Sequence, residues 1–97
     1  MAISTIQKDD NLFVERVAYE HSVNIAGRSY TTITVNVAKD GFTPIAILTL
    51  ASYGTEVFSL GNVNIPASGN ASVMIWNNYS DSRTATAIAF RVLYRKA

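Results

Sequence analysis

Hydrophobic and polar residues alternate with a period of two along most of this chain. In "SYTTITVNVAKDG" (29–41), Ile33, Val35 and Val37 fall on one side, and Thr32, Thr34 and Asn36 on the other. That is the pattern of a strand with one dry and one wet face, and "KDG" closes it with a turn. The next stretch, "TPIAILTLASYG" (43–54), is more continuously apolar, as expected of a strand covered on both faces. Pro44 near its start is compatible, since proline is tolerated at a strand's first residue. Residues 56–78 predict two strands, roughly 56–65 and 71–77, joined by the turn "PASGN". A polar hairpin loop, "NNYSDSR" (77–83), then leads into a last strand over 84–95.

Upstream, residues 12–27 predict two further strands, about 12–20 and 22–26. Leu12, Phe13, Arg16, Val17 and Glu20 also have a helical spacing, but the β-branched and aromatic content favours a strand. Six to seven short strands, with turn signals every ~8–12 residues, predict an all-β antiparallel β-sandwich over 12–97. Residues 1–11 read as a flexible or partner-dependent lead-in. The expected core draws on Val23, Ile25, Ile33, Val35, Val37, Ile47, Val57, Val63, Val73, Ile75, Ile88, Phe90 and Val92.

The last strand has an unusual second face. Thr84, Thr86, Ile88, Phe90, Val92 and Tyr94 form a core side, opposite Ala85, Ala87, Ala89, Arg91, Leu93 and Arg95. The alanines are too apolar for a wet face and too small for a core, but they would let another backbone approach closely. Composition sharpens this. Of 97 residues only 15% are charged, against about 25% in an average domain, so the chain is short of the charge that keeps a monomer apart. That shortage hints at self-association, in which Ala85, Ala87, Ala89 and Leu93 would meet another copy. The competing reading lays the alanine face under the chain's own N-terminal segment.

Candidate chemistry is sparse. The net charge is +1 with scattered basic residues, so no basic stripe marks a nucleic-acid partner. Cysteine is absent, which rules out disulfides and thiolate metal sites. No run approaches the ~20 apolar residues of a membrane-spanning helix, and "AISTIQKDDN" lacks the apolar centre of a signal peptide. His21 is the single histidine; metal sites need three or four converging ligands, so it reads as a turn residue. The carboxylates Asp9, Asp10, Glu15, Glu20, Asp40, Glu56 and Asp81 fall mostly in turns or the lead-in. They do not form the spaced pair that glycosidase chemistry uses. Neither a nucleophile elbow nor a phosphate-cradling glycine loop occurs. The expectation is a protein that is not an enzyme and uses no cofactor or metal.

One cluster does point to binding. "IWNNYSDSR" brings Trp76, Asn78, Tyr79, Asp81 and Arg83 to one end of a hairpin, and "ASYGTE" adds Tyr53. Aromatic faces pack against the C–H side of a sugar ring while amides and carboxylates meet its hydroxyls. The competing reading makes Trp76 a plug at one end of the sandwich, with the asparagines building the turn.

Several segments carry a resemblance. "YTTITVNVAKDGFTPIAILTLASYG", "SGNASVMIWNN" and "RVLYRKA" resemble small β-rich modules at the C-termini of bacteriophage and prophage tail-fibre proteins. The likeness spans about residues 22–97. It lies in Gly41-Phe42-Thr43-Pro44-Ile45, Ser68-Gly69-Asn70, Asn77-Asn78 and Val92-Leu93-Tyr94. These are turn and strand signatures rather than a catalytic motif. The resemblance implies a homotrimeric receptor-binding tip, carried on a virion and acting outside the cell. Its partner would be a bacterial cell-surface glycan or protein. The alternative expectation is a structural virion or assembly protein with no ligand site of its own.

Overall fold

The computed structural model describes residues 11–51 and 57–97. In chain order the strands are β1 (Leu12–Ala18), β2 (Val23–Ile25), β3 (Ser29–Asn36), β4 (Phe42–Leu50), β5 (Phe58–Asn64), β6 (Asn70–Asn77), β7 (Arg83–Ala85) and β8 (Ala89–Lys96). They form three antiparallel sheets, ordered β1-β8-β4, β2-β7 and β3-β6-β5. The fold is all-β. The expected lead-in lies outside the described residues apart from Asn11, whose carbonyl accepts from the Lys96 amide at 2.7 Å.

One hydrophobic cluster takes side chains from all three sheets. Ile47, Phe90, Val92 and Tyr94 come from β1-β8-β4, and Ile33, Val35, Phe58, Ala71, Val73 and Ile75 from β3-β6-β5. Ile25 and Ala85 enter from the two-stranded sheet, and Val37 and Ile88 from the flanking segments. Ten of the thirteen expected core residues are buried, and Val23, Val57 and Val63 pack partly buried against them. Burying a Val, Leu, Ile or Phe side chain contributes about 1.5–3 kcal/mol, so this cluster is what holds the sheets together.

Tyr94 adds a directional link. Its buried hydroxyl donates to the Val37 carbonyl at 2.7 Å, tying β8 to the end of β3. Its ring stacks on Phe13 of β1 with centroids 5.3 Å apart, and Phe42 of β4 meets Phe13 edge-on at 4.8 Å.

Two strand expectations are corrected. β4 is an edge strand among the described residues, and its apolar run is not covered on both faces, since Ile45 and Leu48 are 40% and 46% exposed. Against β8 its register slips between Pro44 and Ala46 and again between Ile47 and Thr49. Two bulges, each placing an extra residue against one partner, turn Pro44, Ile47 and Leu50 inward against Tyr94, Val92 and Phe90. Ile45 and Leu48 are left exposed. The continuous apolar run is therefore a bulged pattern with every third residue inward.

The expected single strand over 84–95 is in fact two. Ala87 adopts a left-handed backbone (φ 52°), which ends β7 and re-aims the chain into β8 of another sheet. The alanine face does not form. Ala85 is buried in the chain's own core, Ala89 is wholly covered (0% exposed), and Ala87 is exposed at the turn between them. The period-two reading failed because one non-extended residue reverses which neighbours face the core. Ala89 alternates with Arg91 and Leu93 on the outward side of β8 but is covered. Of the two expected contacts on that side only Leu93 is partly open, in register between Val14 and Ala46.

Burial pushes the Tyr94 phenol above the ordinary tyrosine value, and the Glu15 carboxylate adds to the rise. Its protonated form is favoured by folding, so the stability it contributes is intact below pH ~10 and declines as pH rises through the higher folded value. Tyr94→Phe should cost about 1–2 kcal/mol in denaturant unfolding at pH 7, because the buried Val37 carbonyl loses its donor. The same variant should lose one late-titrating phenol in an ultraviolet titration.

Candidate functional site

The loop after β6 is built around Asn77, the last residue of that strand. Its side chain is fully buried. Its Nδ2 donates to the Ile25 carbonyl and the Asp81 carbonyl, each at 2.9 Å, with a longer contact to the Ala26 carbonyl at 3.3 Å. Its Oδ1 accepts from the Tyr79 amide at 2.9 Å. One carboxamide thus supplies partners to the β2–β3 connection and to the 77–81 turn at once. The Arg28 amide closes the junction by donating to the Tyr79 carbonyl at 2.7 Å.

Gly27 completes the fit. A Cβ at this position would lie 2.1 Å from the Ser80 carbonyl oxygen, so only glycine permits this approach of the two segments.

The loop and the neighbouring sheet carry three aromatic side chains. Trp76 of β6 stands directly opposite Tyr30 of β3, and both point outward, 37% and 50% exposed. Their ring centroids are 4.9 Å apart with planes tilted by 48°. On the other flank Trp76 pairs with Ser59 of β5. Beyond Ser59 the β5 register slips between Leu60 and Val63. A Cβ on Gly61, within that bulge, would meet Trp76 Nε1 and Met74 Sδ at 2.9 Å each. The missing side chain lets the indole lie down over β5. Trp76 is therefore a surface residue and not a plug. No pocket forms among the described residues; the aromatic pair lies on an open sheet face.

The other expected site residues divide into two groups. Asn78 Nδ2 donates to Ser59 Oγ at 3.2 Å, which puts its amide beside the Trp76–Ser59 row. Arg83 lays its guanidinium over the Tyr79 ring, 4.1 Å from the centroid. Asp81 is exposed and fixed through its backbone carbonyl. Tyr53 lies outside the described residues. His21 is exposed in the β1–β2 turn with its ring edge-on to Tyr19 at 5.1 Å.

Sequence reasoning missed Tyr30. It was legible only as the outward residue at the start of the Thr-rich strand, and its partnership with Trp76 depends on the β3–β6 register. Gly61 was equally silent.

Asn77→Ala removes both donors and the acceptor. It should destabilise the fold by about 2–4 kcal/mol, since buried partners left unsatisfied cost about 1–3 kcal/mol each. Chemical denaturation reads the loss, and Asn77→Asp, which turns a carboxylate toward three carbonyls, should cost at least as much. A surface asparagine such as Asn64 should tolerate the same alanine change within about 0.5 kcal/mol.

No protein-family model, no curated protein and no solved structure matches this chain.

Proposed function

We propose that this chain is a non-enzymatic recognition module of a bacteriophage tail-fibre tip, gripping a bacterial cell-surface glycan through Tyr30 and Trp76. The observation that carries the reading is the exposed aromatic pair on a sheet face. A sugar's C–H face packs on such rings, and the Ser59 hydroxyl and Asn78 amide beside them suit its hydroxyl groups. The viral setting rests on the resemblance carried by Gly41–Ile45, Ser68–Asn70, Asn77–Asn78 and Val92–Tyr94.

The architecture that goes with this reading is a β-sandwich. Two three-stranded sheets contribute to one core, and the thinnest extent of 19 Å accommodates two sheets about 10 Å apart.

Trp76→Ala and Tyr30→Ala should each weaken glycan binding by at least about tenfold, as expected when an aromatic anchor is truncated. Adsorption to host cells or glycan-array signal reads the effect, with circular dichroism showing the fold retained. Unchanged binding by both variants rejects the site.

A second reading, a structural virion or assembly protein, is favoured by one observation. On the outward side of β1-β8-β4 the row Val14, Leu93 and Ala46 is apolar, with Val14 50% exposed. This row takes the place of the buried alanines as the contact of a homotrimer. Light scattering after gel filtration should return a multiple of the chain mass, and Leu93→Arg should lower it to one chain. A wild-type monomer at micromolar concentration removes the assembly.

A further inference from the structure

Among the described residues, the outward side of the sheet that carries the aromatic pair has an unusual property: it has no charge. β3 presents Tyr30, Thr32, Thr34 and Asn36 there, and β6 presents Asn70, Ser72, Met74 and Trp76. The outward positions of β5 are Ser59, Asn62 and Asn64. A soluble surface is normally about 25–35% charged, so a face of this size ordinarily holds about three ionic groups. The charges among the described residues lie elsewhere; Arg16, Arg91 and Arg95, for example, share the outward side of β1-β8-β4.

We infer that this face is the binding track for an uncharged, linear oligosaccharide, running from the Tyr30–Trp76 pair toward Asn36 and Asn70. The inference rests on the proposed glycan-binding reading and adds the ligand's class and course. Threonine and serine hydroxyls and asparagine amides each both donate and accept, which matches the dual character of sugar hydroxyls. A carboxylate, sulfate or phosphate only accepts and is strongly held by arginine or lysine. The track offers neither, so an anionic sugar would lose water there without gaining a cation. The face therefore selects by refusal as well as by fit.

Length follows from register. From the row of Tyr30 and Trp76 to the row of Asn36 and Asn70 is six residues along β3, about 20 Å at ~3.4 Å per residue. One sugar ring covers the aromatic pair and leaves the rest of the track open, so affinity should grow with chain length.

The test uses the full chain on an array of neutral polysaccharides (dextran, starch, mannan, galactan) and anionic ones (polygalacturonate, alginate, polysialate). Monosaccharides to hexasaccharides of the best binder follow by calorimetry. The expected result is binding to at least one neutral polymer, tighter by about tenfold or more from disaccharide to tetrasaccharide. It should be unchanged between roughly 0.05 and 0.5 M salt, where ionic contacts fade. Thr34→Lys, midway along the track, should weaken the tetrasaccharide by about tenfold and leave the disaccharide as it was; circular dichroism and melting check its fold. Preference for an anionic polymer, salt-sensitive binding, or length-independent affinity overturns the neutral track while leaving the aromatic site standing. Binding that ignores both Trp76→Ala and Tyr30→Ala, or no binding to any glycan, overturns both.

Discussion

The carboxamide of Asn77 is the constraint on which the loop end of the β3-β6-β5 sheet depends. A buried amide away from water must find its partners within the protein or cost the fold several kilocalories per mole. Here it finds them in the β2–β3 connection and in its own succeeding turn. That ties the β2–β3 connection to β6 and the 77–81 turn, alongside the Arg28–Tyr79 backbone bond. The β3–β6 pairing that sets Tyr30 opposite Trp76 ends at the row of Ser29 and Asn77, so the amide that secures the loop also fixes the end of the aromatic row. Gly27 acts in the same place by withholding a side chain, since any Cβ would collide with the Ser80 carbonyl.

Much of the fold was legible in the chain because β3, β6 and the second half of the last strand keep strict alternation. Ile33, Val35, Val73, Ile75, Phe90 and Val92 are inward as their spacing predicts. Legibility failed where geometry breaks the two-residue period. In β4 two bulges convert alternation into a three-residue repeat, and an apolar run that reads as doubly covered has Ile45 and Leu48 in solvent. At Ala87 a single left-handed residue divides one apparent strand between two sheets. Alanine rarely signals such a conformation, whereas glycine or asparagine would have. Of the candidate site, Trp76, Asn78, Tyr79 and Arg83 could be picked out because they crowd one short polar loop. Tyr30 could not, because it comes from a distant segment and meets Trp76 only through strand register.

The outward sides of the two three-stranded sheets differ in kind. One opposes Arg16 to Arg91 directly across neighbouring strands, an arrangement of like charges that costs stability, next to the apolar row of Val14, Leu93 and Ala46. The other is neutral, hydroxyl- and amide-rich, and ends in aromatics. Each sheet shares its inner side with the same core, so the choice of outward residues is nearly free of folding demands.

The two bulges of β4 have a consequence for solubility. A straight apolar edge with unspent backbone groups is a template for adding foreign strands, and from there for fibril growth. Each bulge interrupts the regular spacing of those groups and bends the edge, so an incoming chain cannot zip along it. A protein with so few charges to hold its copies apart is thereby guarded by shape at the border where Ile45 and Leu48 stand exposed.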